Sequence, residues 1–259
     1  MPRRPKNHRP DLNGLLVVDK PVGPTSMDVC RVVRRLTGGA KVGHAGTLDP
    51  LASGVLIVCL GAATKAIDAL MGTEKRYRAA IDLSAFSVTD DLEGEREPVA
   101  VETPPTRDEV ERACRAFEGV VEQRPPTHSA VHVGGERAYR LARNAARDGG
   151  VVERPPARPV TIHEIQVAAY TWPALELDIR CGKGTYIRSL ARDLGEALGT
   201  GGMLTALRRT AVGAYGLEGA TRLDDLPDRI EPHDLQPVAG SIPPATEHED
   251  APGGSPRAG

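Results

Sequence analysis

The sequence predicts an α+β fold around a mixed, largely antiparallel central sheet flanked by helices. Three observations carry that expectation. Two-residue alternation and 3.6-residue apolar stripes occur in the same chain, they intermingle without strict β-α-β order, and several connections are of hairpin length. With 259 residues, 40% of them hydrophobic, the chain can enclose a sizeable core. One domain is expected over residues 13–226, after a basic flexible arm over 1–12. An acidic, Pro-rich tail over 227–259 follows, mostly disordered from about residue 237 because its composition offers little to bury.

The elements follow in order. Gly14–Asp19, built on the apolar run Leu15–Val18, reads as a buried strand. Thr25 with Asp28 forms a capping box, Val29, Val32, Val33 and Leu36 make the stripe of the helix behind it, and Gly38-Gly39 ends that helix. A second strand over Val55–Leu60 leads to a short helix around Lys65–Met71. Lys75–Leu83 alternates, with Tyr77, Ala79 and Ile81 on one face and Arg76, Arg78 and Asp82 on the other. After an acidic loop over Asp90–Glu97, Thr106 and Glu109 open another boxed helix bearing Val110, Cys114 and Phe117. A helix over Arg137–Asp148, strands over Val160–Tyr170 and Leu175–Cys181, a helix from Ile187 to Leu198 and a strand within Met203–Tyr215 complete the order. There is no internal repeat.

Composition excludes several classes of function. The charges nearly balance, Lys+Arg 33 against Asp+Glu 35, but residues 227–259 hold six acids and two arginines, so the remainder is mildly basic. Cys30, Cys59, Cys114 and Cys181 are far apart and form no C-x-x-C pair, and the one i,i+4 histidine pair, His128 and His132, lies in an extended Pro/Gly-flanked stretch. No metal site is expected from them. The longest uncharged run, Leu51–Thr64, is broken by Gly and Ser and is shorter than the roughly 20 residues of a membrane helix. The basic start leads into no signal-peptide core, so a cytoplasmic protein is expected.

Three segments depart from what packing alone would choose. Gly43–Gly54 is a glycine-punctuated loop in which Pro50 biases Asp49 towards an extended conformation, as suits a rigidly held acid. An ordinary turn with Asp49 as a local cap explains the loop equally well. Lys75-Arg76-Tyr77-Arg78 places an aromatic residue among cations; it is either a core tyrosine or a platform for a base, with Arg76 and Arg78 facing phosphates. In Gly182-Lys183-Gly184-Thr185-Tyr186-Ile187-Arg188, Arg188 enters the first turn of a helix, where the macrodipole disfavours a cation. An anion is needed beside it. There is no P-loop, dinucleotide fingerprint or nucleophile elbow, which leaves cofactor-free chemistry on a polyanion.

These residues, together with Gly14–Pro21, Gly23, Ser26, Gln123–Pro126, Ser129-Ala130 and Leu207-Arg208-Arg209, resemble the bacterial tRNA pseudouridine synthase B family over roughly residues 14–226. The resemblance implies a pseudouridine synthase core that isomerises uridine 55 in the tRNA T-loop by base flipping, with no cofactor. It implies Asp49 as the catalytic acid, Tyr77 against the uracil and Arg188 as partner of Asp49. Tyr186 and Leu207 would line the pocket, His44 would help to open the T-loop, Asp91 would join the charge network, and Lys20 falls among the substrate-binding residues. The partner is then the tRNA T-arm, and one chain suffices, so a monomer without metal or membrane association is expected.

Departures from the family pattern fall in loops. Ser84, Val88, His128 and His132 stand where Gly, Asp, Tyr and Lys are usual, and the acidic tail replaces a full C-terminal RNA-binding module. A catalytically silent RNA-binding paralogue is the competing reading. Joint presence of Asp49, Tyr77 and Arg188 argues against it, and a nucleoside hydrolase would need a second acid or a metal-held water.

Overall fold

Leu15–Val18 carries no polar alternate because both faces of its strand are covered. The computed structural model describes residues 9, 11–127, 132–133, 136–137 and 155–238, and in it that strand is β1 (Gly14–Lys20). Leu16 and Val18 pack with Val29, Cys30 and Val33 of helix α1 (Ser26–Leu36), whereas Leu15 and Val17 enter a cluster with Leu70 and Tyr215. The same division runs along β3 (Ala52–Leu60): Leu56, Val58 and Leu60 turn towards α1, and Val55, Ile57 and Cys59 turn away. Between α1 and β3 in sequence comes β2 (Val42–His44), hydrogen-bonded to β3.

A 3-10 turn over Gly61–Ala66 and helix α2 (Ile67–Gly72) lead into β4 (Lys75–Asp82), followed by a small hairpin of β5 (Ala85–Ser87) and β6 (Arg96–Pro98). Helix α3 (Arg107–Ala116) precedes β7 (Gly119–Gln123), the two-residue strands β8 (His132–Val133) and β9 (Glu136–Arg137), and the long hairpin of β10 (Arg158–Thr171) and β11 (Ala174–Cys181). Helix α4 (Ile187–Leu198), β12 (Met203–Val212), β13 (Tyr215–Gly216) and β14 (Thr221–Arg222) follow. Both expected capping boxes form, at Thr25 with Asp28 and at Thr106 with Glu109.

The central sheet has the order β14-β1-β3-β12-β4-β11-β10-β7, with β2 and β13 at its margins. Only the β14–β1 and β3–β12 pairings are parallel, so the sheet is mixed and largely antiparallel. Its β4–β10 half is covered on one face by α3 and α4, around Ile81, Leu177, Ile179, Leu190 and Leu194. Tyr77 and Leu207 touch both this core and the α1 core, and so mark the seam between them.

Two segments differ from expectation. The acidic loop begins with two buried acids, Asp90 and Asp91, 2% and 1% exposed, because arginines of α4 face them; for Asp90 no signal in the sequence announces this. Within residues 227–238, Ile230 is buried against the α1 core, and Leu15 and Gln236 exchange two 2.8 Å backbone hydrogen bonds, which extends the edge of β1. The helix expected over Arg137–Asp148 lies, beyond Arg137, outside the described residues, as do His128, most of the basic arm and residues 239–259. No helix among the described residues is long and apolar enough to cross a membrane.

Candidate active site

The Gly43–Gly54 loop is held from three directions. Ser26, buried at the first turn of α1, accepts from the Leu48 amide at 2.8 Å and donates to the Leu48 carbonyl at 3.1 Å. Gly23 donates to the Pro50 carbonyl at 2.8 Å. From β12, the Arg209 guanidinium, 1% exposed, donates to the carbonyls of Gly46 (3.1 Å), Thr47 (3.4 Å) and Val55 (2.7 Å). Gly54 has φ 101, and a Cβ there would lie 2.1 Å from the Arg209 carbonyl, so the β3–β12 contact requires glycine. Asp49 is therefore presented by a rigid loop.

Arg188 is the second residue of α4, a helix without an acid in its first turn, and the compensating anions arrive from elsewhere in the chain. Its Nη2 lies 3.0 Å from Asp49 Oδ2, its Nη1 lies 3.3 Å from Asp91 Oδ2, and Nη1 also donates to the Thr89 carbonyl at 3.2 Å. Exposure separates their tasks. The Arg188 side chain is 6% exposed and that of Asp91 1%, whereas that of Asp49 is 39% exposed. Asp49 alone offers an oxygen to a ligand, and the other two groups stand behind it.

Tyr77 in β4 pairs across the sheet with Arg209 in β12 and Ile179 in β11. Burial pushes its phenol pKa up, and the nearby Arg209 offsets that only in part, so the hydroxyl stays protonated at neutral pH. Arg76 and Arg78 do not flank it. Strand alternation sends them to the opposite, solvent-facing side, where Arg78 forms a forked pair with Asp178 (2.9 and 2.8 Å) and Arg76 meets Glu74 at 3.4 Å. The expectation that they face phosphates beside a base on Tyr77 is thus corrected.

Asp49, Tyr77, Tyr186, Arg188 and Leu207 all line one cleft of about 630 Å³. Lys75, Arg158, Lys183 and Arg209 add cations to its walls, and Asp68 of α2 adds one exposed acid. Arg158 and Lys183 line the cleft, whereas Arg76 and Arg78 do not. The Arg158 guanidinium stacks 5.4 Å from the Tyr186 ring centroid and donates to the Gly184 carbonyl at 2.9 Å. Gln123 clamps Tyr186 reciprocally, accepting from its amide at 2.7 Å and donating to its carbonyl at 3.0 Å.

Three expected site residues lie outside that lining. Lys20 is fully buried, donating to the carbonyls of Pro21 and Pro24 at 2.8 Å, and burial lowers its pKa to about 8 despite the opposing pull of Asp49. Asp91 is sealed behind Arg188. His44 sits on β2 opposite Val58, and burial together with Arg209 lowers its pKa, which keeps the imidazole neutral. Asp49, Tyr77, Tyr186 and Leu207 thus line the cleft, while Lys20 and Asp91 are buried outside its lining. Among the described residues no group of His, Cys, Asp and Glu converges as a metal site.

Comparison with known proteins adds relatives in sequence and fold. The model of the TruB family pseudouridylate synthase N-terminal domain matches residues 34–187, and that of the tRNA pseudouridylate synthase B C-terminal domain matches 188–241. The second match begins at Arg188 and includes most of α4 and all of β12, inside the central sheet. A tRNA pseudouridine synthase B of Arthrobacter sp. (strain FB24) is 46% identical over 242 residues, 91% of this chain and 78% of that protein. One from Thermobifida fusca (strain YX) is 48% identical over 227 residues, 83% and 74% of the two chains. Among solved structures, a Cbf5-Nop10-Gar1 complex matches with TM-score 0.64 and 30% identity, over 86% of this chain and 56% of that one. An H/ACA RNP bound to a substrate RNA containing 2'-deoxyuridine matches with TM-score 0.61 and 28% identity, over 82% and 52%. This chain thus spans about half the length of those two. Fold and sequence together define an RNA-isomerising enzyme of the pseudouridine synthase class. Within that class, the chain belongs to the TruB family.

Proposed function

We propose that this enzyme converts uridine 55 in the T-loop of tRNA to pseudouridine, with Asp49 as the group that breaks the glycosidic bond. One observation carries the reading: a half-open carboxylate, held at 3.0 Å by a buried arginine, faces a cation-lined cleft beside a half-buried tyrosine. The reaction is an isomerisation and needs no redox partner. The N1–C1′ bond breaks, the uracil turns within the pocket, C5 bonds to C1′, and the proton leaving C5 is balanced by one gained at N1. A carboxylate beside the ribose serves the first step by attack at C1′ or removal of the C2′ proton, since either route stabilises oxocarbenium-like charge as in glycosidases.

The other side chains divide the remaining work. The target base lies inside a folded loop and has to be extruded, at a cost of a few kcal/mol that stacking on Tyr77 helps to offset. Tyr186 and Leu207 close the pocket around the uracil, and neutral His44 helps to open the T-loop. Arg158 and Lys183 receive the phosphates that Arg76 and Arg78 cannot reach from the other face of the sheet. Lys20 and Asp91 act from beneath the cleft, through the loop and through Arg188. One chain forms the whole cleft, so the enzyme works on the T-arm as a monomer, in the cytoplasm.

The test is incubation with an unmodified tRNA transcript and with an isolated T-arm hairpin, the product being mapped by carbodiimide-dependent primer extension. Pseudouridine at position 55 in both is expected. Binding without product would favour a silent RNA-binding role, and release of free uracil would favour a hydrolase that uses Asp68 as its second acid.

A further inference from the structure

Asp90 is the one residue other than glycine with positive φ among the described residues, at 62°. L side chains enter that left-handed region reluctantly, and residues held there tend to cluster where geometry matters to function. Its carboxylate is buried and lies 2.8 Å from Nη1 of Arg192, which is also buried. Arg192 sits one turn beyond Arg188 on α4. The Arg192 guanidinium is anchored further by Asp193 at 2.7 Å and by the Arg124 carbonyl at 3.0 Å, with Glu196 at 3.9 Å.

We propose that the Asp90–Arg192 pair is a positioning device for the Arg188 guanidinium and, through it, for Asp49. The inference rests on the function proposed above. In an extended segment the side chains of consecutive residues point to opposite sides. The left-handed turn at Asp90 lets both Asp90 and Asp91 face α4, so that Thr89, Asp90 and Asp91 in succession grip arginines of one helix. The rest of the segment is fixed to match. Asp91 Oδ1 accepts from the Thr89 hydroxyl (2.6 Å) and the Glu93 amide (3.0 Å), which leaves Oδ2 for Arg188, and the Asp90 carbonyl accepts from the Leu204 amide of β12 (3.0 Å). A buried ion pair is weak evidence for stability, since well-packed apolar residues often serve as well. What a charged strut in a strained backbone adds here is orientation.

Single-turnover pseudouridine formation at saturating unmodified tRNA tests this, together with tRNA affinity and thermal unfolding. Asp90→Asn and Arg192→Met are each expected to slow turnover by about 10- to 100-fold, the scale of a small misplacement of reacting groups. The dissociation constant should stay within about twofold, because neither residue lines the cleft. Asp90→Gly relieves the backbone while removing the carboxylate, and should be equally slow even though it folds well. In an Asp91→Asn background, adding Asp90→Asn should cost no more than about twofold, because both substitutions act through Arg188. Wild-type rates in folded Asp90→Gly and Arg192→Met, or losses that multiply with that of Asp91→Asn, would overturn the inference alone. Absence of product with the wild type would overturn the function on which it rests, and this inference with it.

Discussion

The two faces of the β4–β12 strand pair carry the same cation in opposite states. On the solvent face, Arg78 and Arg76 have side chains 60% and 63% exposed and meet the acids Asp178 and Glu74 in water. On the cleft face, Arg209, directly across from Tyr77, is sealed and serves three carbonyls of the loop and strand around Asp49. Exposed pairs contribute little to a fold, whereas a buried arginine stripped of its partners, or a buried acceptor stripped of its donor, is costly. Across this one pair of strands, the sheet thus separates solubility from function. Mutation should separate them as well.

Among substitutions that probe this contrast, Arg209→Met is expected to have the largest effect. It leaves the Gly46, Thr47 and Val55 carbonyls without their donor, costing about 3 kcal/mol in denaturant unfolding, and frees the Asp49 loop, costing about 100-fold in turnover. Tyr77→Leu comes next. Loss of a stacking platform worth about 1–3 kcal/mol should weaken substrate binding and slow turnover, while Tyr77→Phe keeps the affinity, as read by filter binding and single-turnover rates.

Lys20 supplies a pH test from beneath the cleft. Its folded pKa is lowered to about 8 from the ordinary 10.5, so between these values the unfolded chain holds more protons and stability rises with pH. The penalty of burying the ammonium is fully present below about pH 8. In denaturation profiles, wild type minus Lys20→Met should therefore be flat below pH 8 and should rise in favour of the wild type towards pH 10.5. A profile without that rise would mean that Lys20 is solvated. Arg78→Ala is expected to do least, leaving the turnover rate within about twofold and the unfolding midpoint nearly unmoved. A large loss there would return Arg78 to the substrate.

Much of the fold was legible because its signals are local. Lys75–Leu83 alternates since one face is wet, Leu15–Val18 does not since both faces are dry, and Thr25 and Thr106 announce their helices through Asp28 and Glu109. Asp49 was legible as a held acid from the glycines and Pro50, and Arg188 as a cation in need of an anion. What stayed hidden depends on partners distant in sequence. Arg209 looks like any polar residue in a strand until β3 covers it, and Gln123 meets Tyr186 across 63 residues. Asp90 looks like any acid of an acidic loop until α4 brings Arg192 to it. The placing of Arg76 and Arg78 near phosphates failed because grouping them with Tyr77 as one motif overrode the alternation already visible in the strand.

The proposed function requires that Asp49 perform chemistry and not merely shape the loop. Asp49→Asn keeps the size and hydrogen-bonding reach of the side chain and removes its charge, so wild type and variant should be compared on one unmodified tRNA transcript for pseudouridine at position 55 and for tRNA affinity. Product is expected with the wild type only, and dissociation constants within about threefold of each other, less than 1 kcal/mol apart. Product from Asp49→Asn at a rate near wild type, or loss of binding together with turnover, would contradict it.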